Sequence, residues 1–113
     1  NLSTLNCPEE VFLAEKLLNI HPWAEKVKFA RTGGEANAVA IRIGRAASGR
    51  KNVAFCGYHG WHDWYLAANL KNKNNLNHHL MSGLDPLGVP SNLQNTSFGF
   101  EYGNINQLKK LIT

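Results

Sequence analysis

A glycine pair, Gly33-Gly34, stands between an alternating apolar stretch and a long run of helical periodicity. No other feature restricts the folds open to this chain as much. Upstream, Val27 and Phe29 alternate with Lys26 and Lys28, the pattern of a strand with one apolar face. Downstream, Ala36, Val39, Ala40, Ile43 and Ala47 recur at helical spacing, and Ser48-Gly49 ends the run with a residue suited to a left-handed cap. Asn52-Val53-Ala54-Phe55-Cys56 follows, a short apolar run of the kind expected in a buried parallel strand. Strand, helix and strand in this order predict a right-handed βαβ unit. The fold class is therefore expected to be α/β, with a mostly parallel open sheet and flanking helices.

The remaining elements fit around that unit. Pro8-Glu9-Glu10 begins a helix, with proline at the first position and carboxylates at the positive end of the dipole. Its apolar face runs to about Asn19, and His21-Pro22 ends it, because the residue before proline is pushed out of the helical region. Trp23 falls in the next turn as a packing anchor. Trp64 to Leu70 reads as a helical turn or two. Lys71 to His79, crowded with asparagine and lysine, reads as an exposed loop with His78 and His79 solvated. Leu84 to Asn95 is irregular, and Thr96 to Tyr102 is a third strand carrying Phe98 and Phe100. Asn104 and Gln107 form a capping-box pattern for a last helix.

Composition decides between classes at a few points. Hydrophobic residues make up 43% of the 113, enough for a core, which argues against wholesale disorder. The net charge of +4 is modest and scattered. Arg42, Arg45, Arg50 and Lys51 cluster only at a helix end, where cations suit the dipole, so no nucleic-acid partner is expected. Cys7 and Cys56 lack metal-ligand spacing and suit a reducing compartment, with Cys56 buried in its strand. No apolar run is long enough for a membrane span and no signal-peptide layout appears, so the expected location is cytoplasmic, without a membrane partner. The chain starts at Asn1 and stops within a helical pattern, so we expect a single partial domain, residues 1–113, of a longer protein.

Two loops carry the candidate chemistry. Gly33 and Gly34 can bring backbone N–H groups close to a phosphate at the positive end of a helix, and Thr32 can add a hydroxyl donor. A plain tight turn explains the same dipeptide equally well. It is neither a Walker loop nor a dinucleotide fingerprint. Glu35 in the first turn would oppose an anion, so its carboxylate is expected to point elsewhere. The second loop is Gly57-Tyr58-His59-Gly60-Trp61-His62-Asp63. Tyr58, between glycines, can lie flat on a planar ring or simply pack in an aromatic corner. His59 and His62 lack a third ligand at convincing spacing, so no metal is expected. Both loops follow expected strands and should meet at the carboxyl edge of the sheet, where ligands gather.

Phe29 to Ala36, the helix through Arg42 and Arg45, and Phe55 to Asp63 together resemble the class III pyridoxal-phosphate-dependent aminotransferases. Within that class the look is nearest to the glutamate-1-semialdehyde 2,1-aminomutase group. The resemblance extends through Gly88-Val89-Pro90 and Phe100 to Asn104. It implies the large domain of a fold type I enzyme, working as a homodimer on a small-molecule amino donor and acceptor. The cofactor implied is pyridoxal 5'-phosphate, with its phosphate on Gly33, Gly34 and Thr32, its ring against Tyr58, and His59 in support. Where many members carry Asn-Ser-Gly-Thr, this chain has Arg31-Thr32-Gly33-Gly34, which removes a hydroxyl at Gly34. The Schiff-base lysine and the aspartate that pairs with the pyridinium nitrogen lie downstream in this family. None of the eight lysines here matches that context, nor do Asp63 and Asp85, so no catalytic residue is expected in this chain. The alternatives are intramolecular amino transfer by an aminomutase, or a non-catalytic α/β module for a phosphorylated small molecule.

Overall fold

A computed structural model describes residues 7–112. Helix α1 (Pro8–Ile20) starts with proline at its first positions and Glu9 and Glu10 in the first turn. The His21 N–H closes it on the Leu17 carbonyl at 2.9 Å. Helix α2 (Gly33–Ser48) begins at the glycine pair and ends on Gly49, which adopts φ +67°, the left-handed cap that its sequence predicts.

Strands β1 (Val53–Phe55) and β2 (Ser97–Gly99) pair in parallel, with Val53 opposite Ser97 and Phe55 opposite Gly99. Between them lie the short helix α3 (Asp63–Leu66), 3-10 turns at Ala67–Asn69 and Ser91–Leu93, and irregular chain. Helix α4 (Ile105–Ile112) follows β2. Asn104 Oδ1 accepts the Gln107 N–H at 3.1 Å, while Gln107 Oε1 accepts the Glu101 N–H at 2.7 Å. This is a capping box whose return bond is displaced upstream.

The architecture is α/β with a parallel pair of strands, as the sequence implies. Its sheet is smaller than expected. Val27 to Ala30 forms no strand, so the strand–helix–strand unit around α2 is not built. A strand exists only when a neighbour satisfies its N–H and C=O groups, and no partner faces this segment among the described residues. The parallel register instead joins β1 to β2 across α3.

The core lies under that pair of strands. Phe55, Trp64, Tyr65, Leu66, Ala68 and Leu76 are buried together, with Ala38 and Ile41 of α2 packed on their edge. The asparagine-rich segment is therefore not simply a solvated loop, because Leu76 has 0% exposure within it. Asn69, also at 0%, holds it in place. The Asn69 carboxamide accepts the Leu76 N–H at 3.0 Å and donates to the Leu84 carbonyl at 2.7 Å.

Two other packing expectations fail. Trp23 is 81% exposed, with its ring edge-on to His21 at 5.7 Å, so it is not a buried packing anchor. Cys56 is half-buried rather than buried. Val11, Phe12, Leu13 and Ile20 of α1 are also exposed. The radius of gyration, 16.5 Å, exceeds the roughly 13 Å of a compact domain of this length. No helix among the described residues is long and apolar enough to cross a membrane.

Candidate functional site

The start of α2 is fixed by local side-chain bonds. Thr32, in an extended conformation, is the cap residue, and its Oγ1 accepts the Glu35 N–H at 3.1 Å. Glu35 Oε2 reaches back to accept the Arg31 N–H at 2.8 Å. The carboxylate is thus tied to the chain just before the cap and stays beside the first turn of α2, rather than pointing elsewhere as expected. With the Ala36 N–H on the Thr32 carbonyl, Gly33 and Gly34 keep the two N–H groups of the first turn that make no bond among the described residues.

The second loop packs directly onto this turn. Gly60 adopts φ +98°, and a Cβ built on it would stand 3.0 Å from Gly34 Cα. A Cβ built on Gly34 would stand 2.9 Å from the His62 imidazole, whereas one on Gly33 would meet nothing within 4 Å. The two glycine loops therefore form one unit, and it is Gly34 and Gly60 that allow them to touch. Consecutive Cα atoms are about 3.8 Å apart, so Tyr58 lies within roughly 8 Å of this contact along the chain.

Tyr58 is 36% exposed and meets Tyr65 edge-on, with ring centroids 5.8 Å apart at 85°. Its aromatic contact is thus with the core and not with the glycine turn. His59 is half-buried beside it. Its Nε2 lies 2.7 Å from the Cys56 carbonyl, so that nitrogen carries the proton and donates. The Nδ1 atom then accepts from Asn37 Nδ2 at 3.4 Å. Both ring nitrogens are engaged inside the protein, which suits support rather than a bond to a ligand. Asn37 lies one helical turn beyond Gly33 and so on the same face of α2.

His79 departs from expectation. It is half-buried, with its ring edge-on to Phe55 at 5.6 Å and its Nδ1 3.2 Å from the Tyr65 hydroxyl. Burial first, and then His59 and His78, hold its pKa below the usual imidazole value. The Tyr65 hydroxyl is pushed up to about 12, chiefly by burial and secondarily by Tyr58. A neutral pair results, with Tyr65 O–H donating to the imidazole.

Arg45 is structural. Its Nε donates to the Lys51 carbonyl at 2.8 Å and ties the end of α2 to the approach of β1. Beyond His62, an open depression of about 710 Å³ runs between α2 and the Trp61–Trp64 segment, lined by Ile41, Arg42, Asp63 and Leu93. No group of three metal-ligating side chains occurs among the described residues. The sequence pointed to Thr32, Gly33, Gly34, Tyr58 and His59, gave no sign of Tyr65, and placed His79 in solvent. Asn37, also passed over, left a signal, a carboxamide one turn past the glycines.

With this geometry in hand, three relatives are informative. The chain is 49% identical to the 2'-deamino-2'-hydroxyneamine transaminase of Streptomyces kanamyceticus over 61 residues, covering 54% of this chain and 16% of that protein. It is 30% identical to the 3-aminobutyryl-CoA aminotransferase of Cloacimonas acidaminovorans over 100 residues, covering 88% of this chain and 20% of the relative. It is 35% identical to the glutamate-1-semialdehyde 2,1-aminomutase of Sulfolobus acidocaldarius over 108 residues, or 92% and 24% respectively. No protein-family model matches the chain.

The chain is a homologue of the class III pyridoxal-phosphate-dependent aminotransferases, in agreement with the motifs that suggested them. Its curated relatives include glutamate-1-semialdehyde 2,1-aminomutases among them. It spans between about a sixth and a quarter of the length of the three relatives described.

Proposed function

We propose that the protein carrying this chain catalyses pyridoxal-phosphate-dependent amino-group transfer, and that this segment holds the cofactor phosphate and one face of its ring. The observation that carries this is the approach of Gly60 to Gly34, which brings the phosphate-type turn and the aromatic loop together. The residues present fit the group. Two N–H groups without a bond among the described residues lie at the positive end of α2, and the space beside Gly33 that a Cβ would fill is open.

Gly33 and Gly34 donate to phosphate oxygens in this scheme. Thr32 accepts from Glu35 through its oxygen lone pair, which leaves its own hydroxyl proton free to donate to the same anion. The Arg31 N–H satisfies one Glu35 carboxylate oxygen beside this turn. Tyr58 offers its exposed face to the ring, and His59 supports the loop from within. When bound, the cofactor supplies an electron sink for bond breaking at the amine-bearing carbon of the substrate. Substrate specificity and the reacting lysine lie outside these residues, so the chain alone is inactive.

Intermolecular transfer is the first reading. Intramolecular transfer, as by an aminomutase, is the second, and it is favoured by the 35% identity that extends over 92% of this chain. A cytoplasmic homodimer is proposed with either reading; the two free thiols suit a reducing compartment. Borohydride reduction of the full-length protein with pyridoxal phosphate, followed by peptide mass analysis, tests the division of labour. The cofactor is expected on one lysine outside residues 1–113. A specific adduct on a lysine within them would overturn it.

A further inference from the structure

We propose that Tyr65 and His79 form a positioning pair for Tyr58, fixing the angle at which that ring is presented. This rests on the cofactor reading of Tyr58. Tyr58 is 36% exposed, and its ring meets that of Tyr65 in a T-shaped contact. Tyr65 has 0% exposure, so its ring is a fixed wall. Swinging of the side chain about its Cα–Cβ bond is restrained by its hydroxyl, which meets His79 Nδ1 at 3.2 Å. His79 is placed in turn by the end of β2, where a Cβ on Gly99 would come within 3.1 Å of His79 Cε1.

A continuous line of contacts therefore runs from Gly99 through His79 and Tyr65 to the partly exposed ring of Tyr58. Tyr65 is wholly buried, and His79 has its Nδ1 on the Tyr65 hydroxyl. Tyr65 and His79 act through Tyr58, and neither is a catalytic residue.

The state of His79 sets whether the pair holds. A neutral Nδ1 accepts the Tyr65 hydroxyl proton, whereas an imidazolium has no lone pair to offer and the hydroxyl must turn away. The groups facing His79 are the Tyr65 hydroxyl, His59 across the loop after β1, and His78 beside it. Backbone groups of Gly57 and Phe100 act on it as well, in favour of the charged form. Protonation of His79 should thus loosen Tyr58 without touching the glycine turn.

Two measurements on the full-length protein test this. The first is the affinity for pyridoxine 5'-phosphate, which has no aldehyde and reads only non-covalent binding. The second is the ¹⁹F resonance of 3-fluorotyrosine at Tyr58 in the ligand-free protein. Tyr65→Phe and His79→Phe are expected to weaken binding about three- to tenfold, the loss of one buried hydrogen bond, and to shift the Tyr58 resonance. His79→Asn should restore both, because its carboxamide oxygen accepts the hydroxyl proton. It should also abolish the change in both as pH falls, which the wild type shows. Wild-type affinity together with an unmoved Tyr58 resonance in Tyr65→Phe would overturn the proposal. A resonance that responds to Tyr65→Phe and to pH, in a wild type that does not bind pyridoxine 5'-phosphate, would uphold the pair and overturn the cofactor reading.

Discussion

Gly60 faces Gly34 so closely that a Cβ on Gly60 would stand 3.0 Å from Gly34 Cα, closer than real Cβ atoms usually approach backbone. Gly60 also sits at φ +98°, a conformation that side chains disfavour. Alanine at Gly60 is thus penalised twice, by strain and by a rigid neighbour, at a cost of about 1–3 kcal/mol. Alanine at Gly34 meets the exposed His62 ring, which can swing aside, so the cost is about 1 kcal/mol. Gly33→Ala meets nothing and should be nearly neutral. Denaturant midpoints should fall in that order, and equal midpoints for Gly60→Ala and Gly33→Ala would contradict the contact.

Thr32 starts α2 through the Glu35 N–H. Thr32→Ala should cost about 1 kcal/mol, and Thr32→Ser much less, because serine keeps the accepting oxygen. The same pair separates a structural from a ligand role. If Thr32 also meets the phosphate, alanine weakens phosphate binding while serine preserves it.

Stability should decline at both ends of the pH scale. His79 titrates lower when folded than its ordinary value of 6.5, so the unfolded chain takes up the proton first. Its contribution is complete above 6.5 and is lost as pH falls through the folded value. Tyr65 loses its proton near 10 when unfolded and about 12 when folded. That contribution is complete below 10 and is lost between those values. Unfolding midpoints across pH should show His79→Asn flattening the acid side and Tyr65→Phe the alkaline side. An acid slope unchanged by His79→Asn would contradict the burial of that ring.

What the sequence made legible was local. Gly49 marks the end of α2 because a cap is satisfied within a few residues of chain. Asn104 and Gln107 mark α4 for the same reason. The cap role of Thr32 at the start of α2 went unread, the residue being taken only as a phosphate donor. Val27 and Phe29 misled because alternation signals a strand only where a partner exists. His79 misled because its neighbours in sequence are polar, while its neighbours in space, Phe55, Tyr65 and Gly99, come from other elements. Nothing around Tyr65 or His79 in the sequence indicates that they stand behind Tyr58. The meeting of the two loops was legible only as an expectation, from both following apolar stretches. Observed contact rests on Gly34 and Gly60, although one of the two stretches forms no strand.

The apolar side chains left uncovered should drive association. Phe12, Trp23 and Ile112 are each more than half exposed, and the two-stranded sheet leaves strand edges unpaired. The isolated 113-residue chain is expected to aggregate or to fold marginally. A sharp, concentration-independent unfolding transition of a monomer would contradict this.

Binding of pyridoxine 5'-phosphate to the full-length protein, compared with Gly34→Asp and Tyr58→Ala, tests the single cradle most directly. The aspartate adds a negative charge at the start of α2 and a side chain that must displace the His62 ring, and the alanine removes the Tyr58 ring. Each variant is expected to weaken binding by about tenfold or more, about 1.4 kcal/mol. Affinity unchanged in both would contradict the claim that the two loops hold one cofactor.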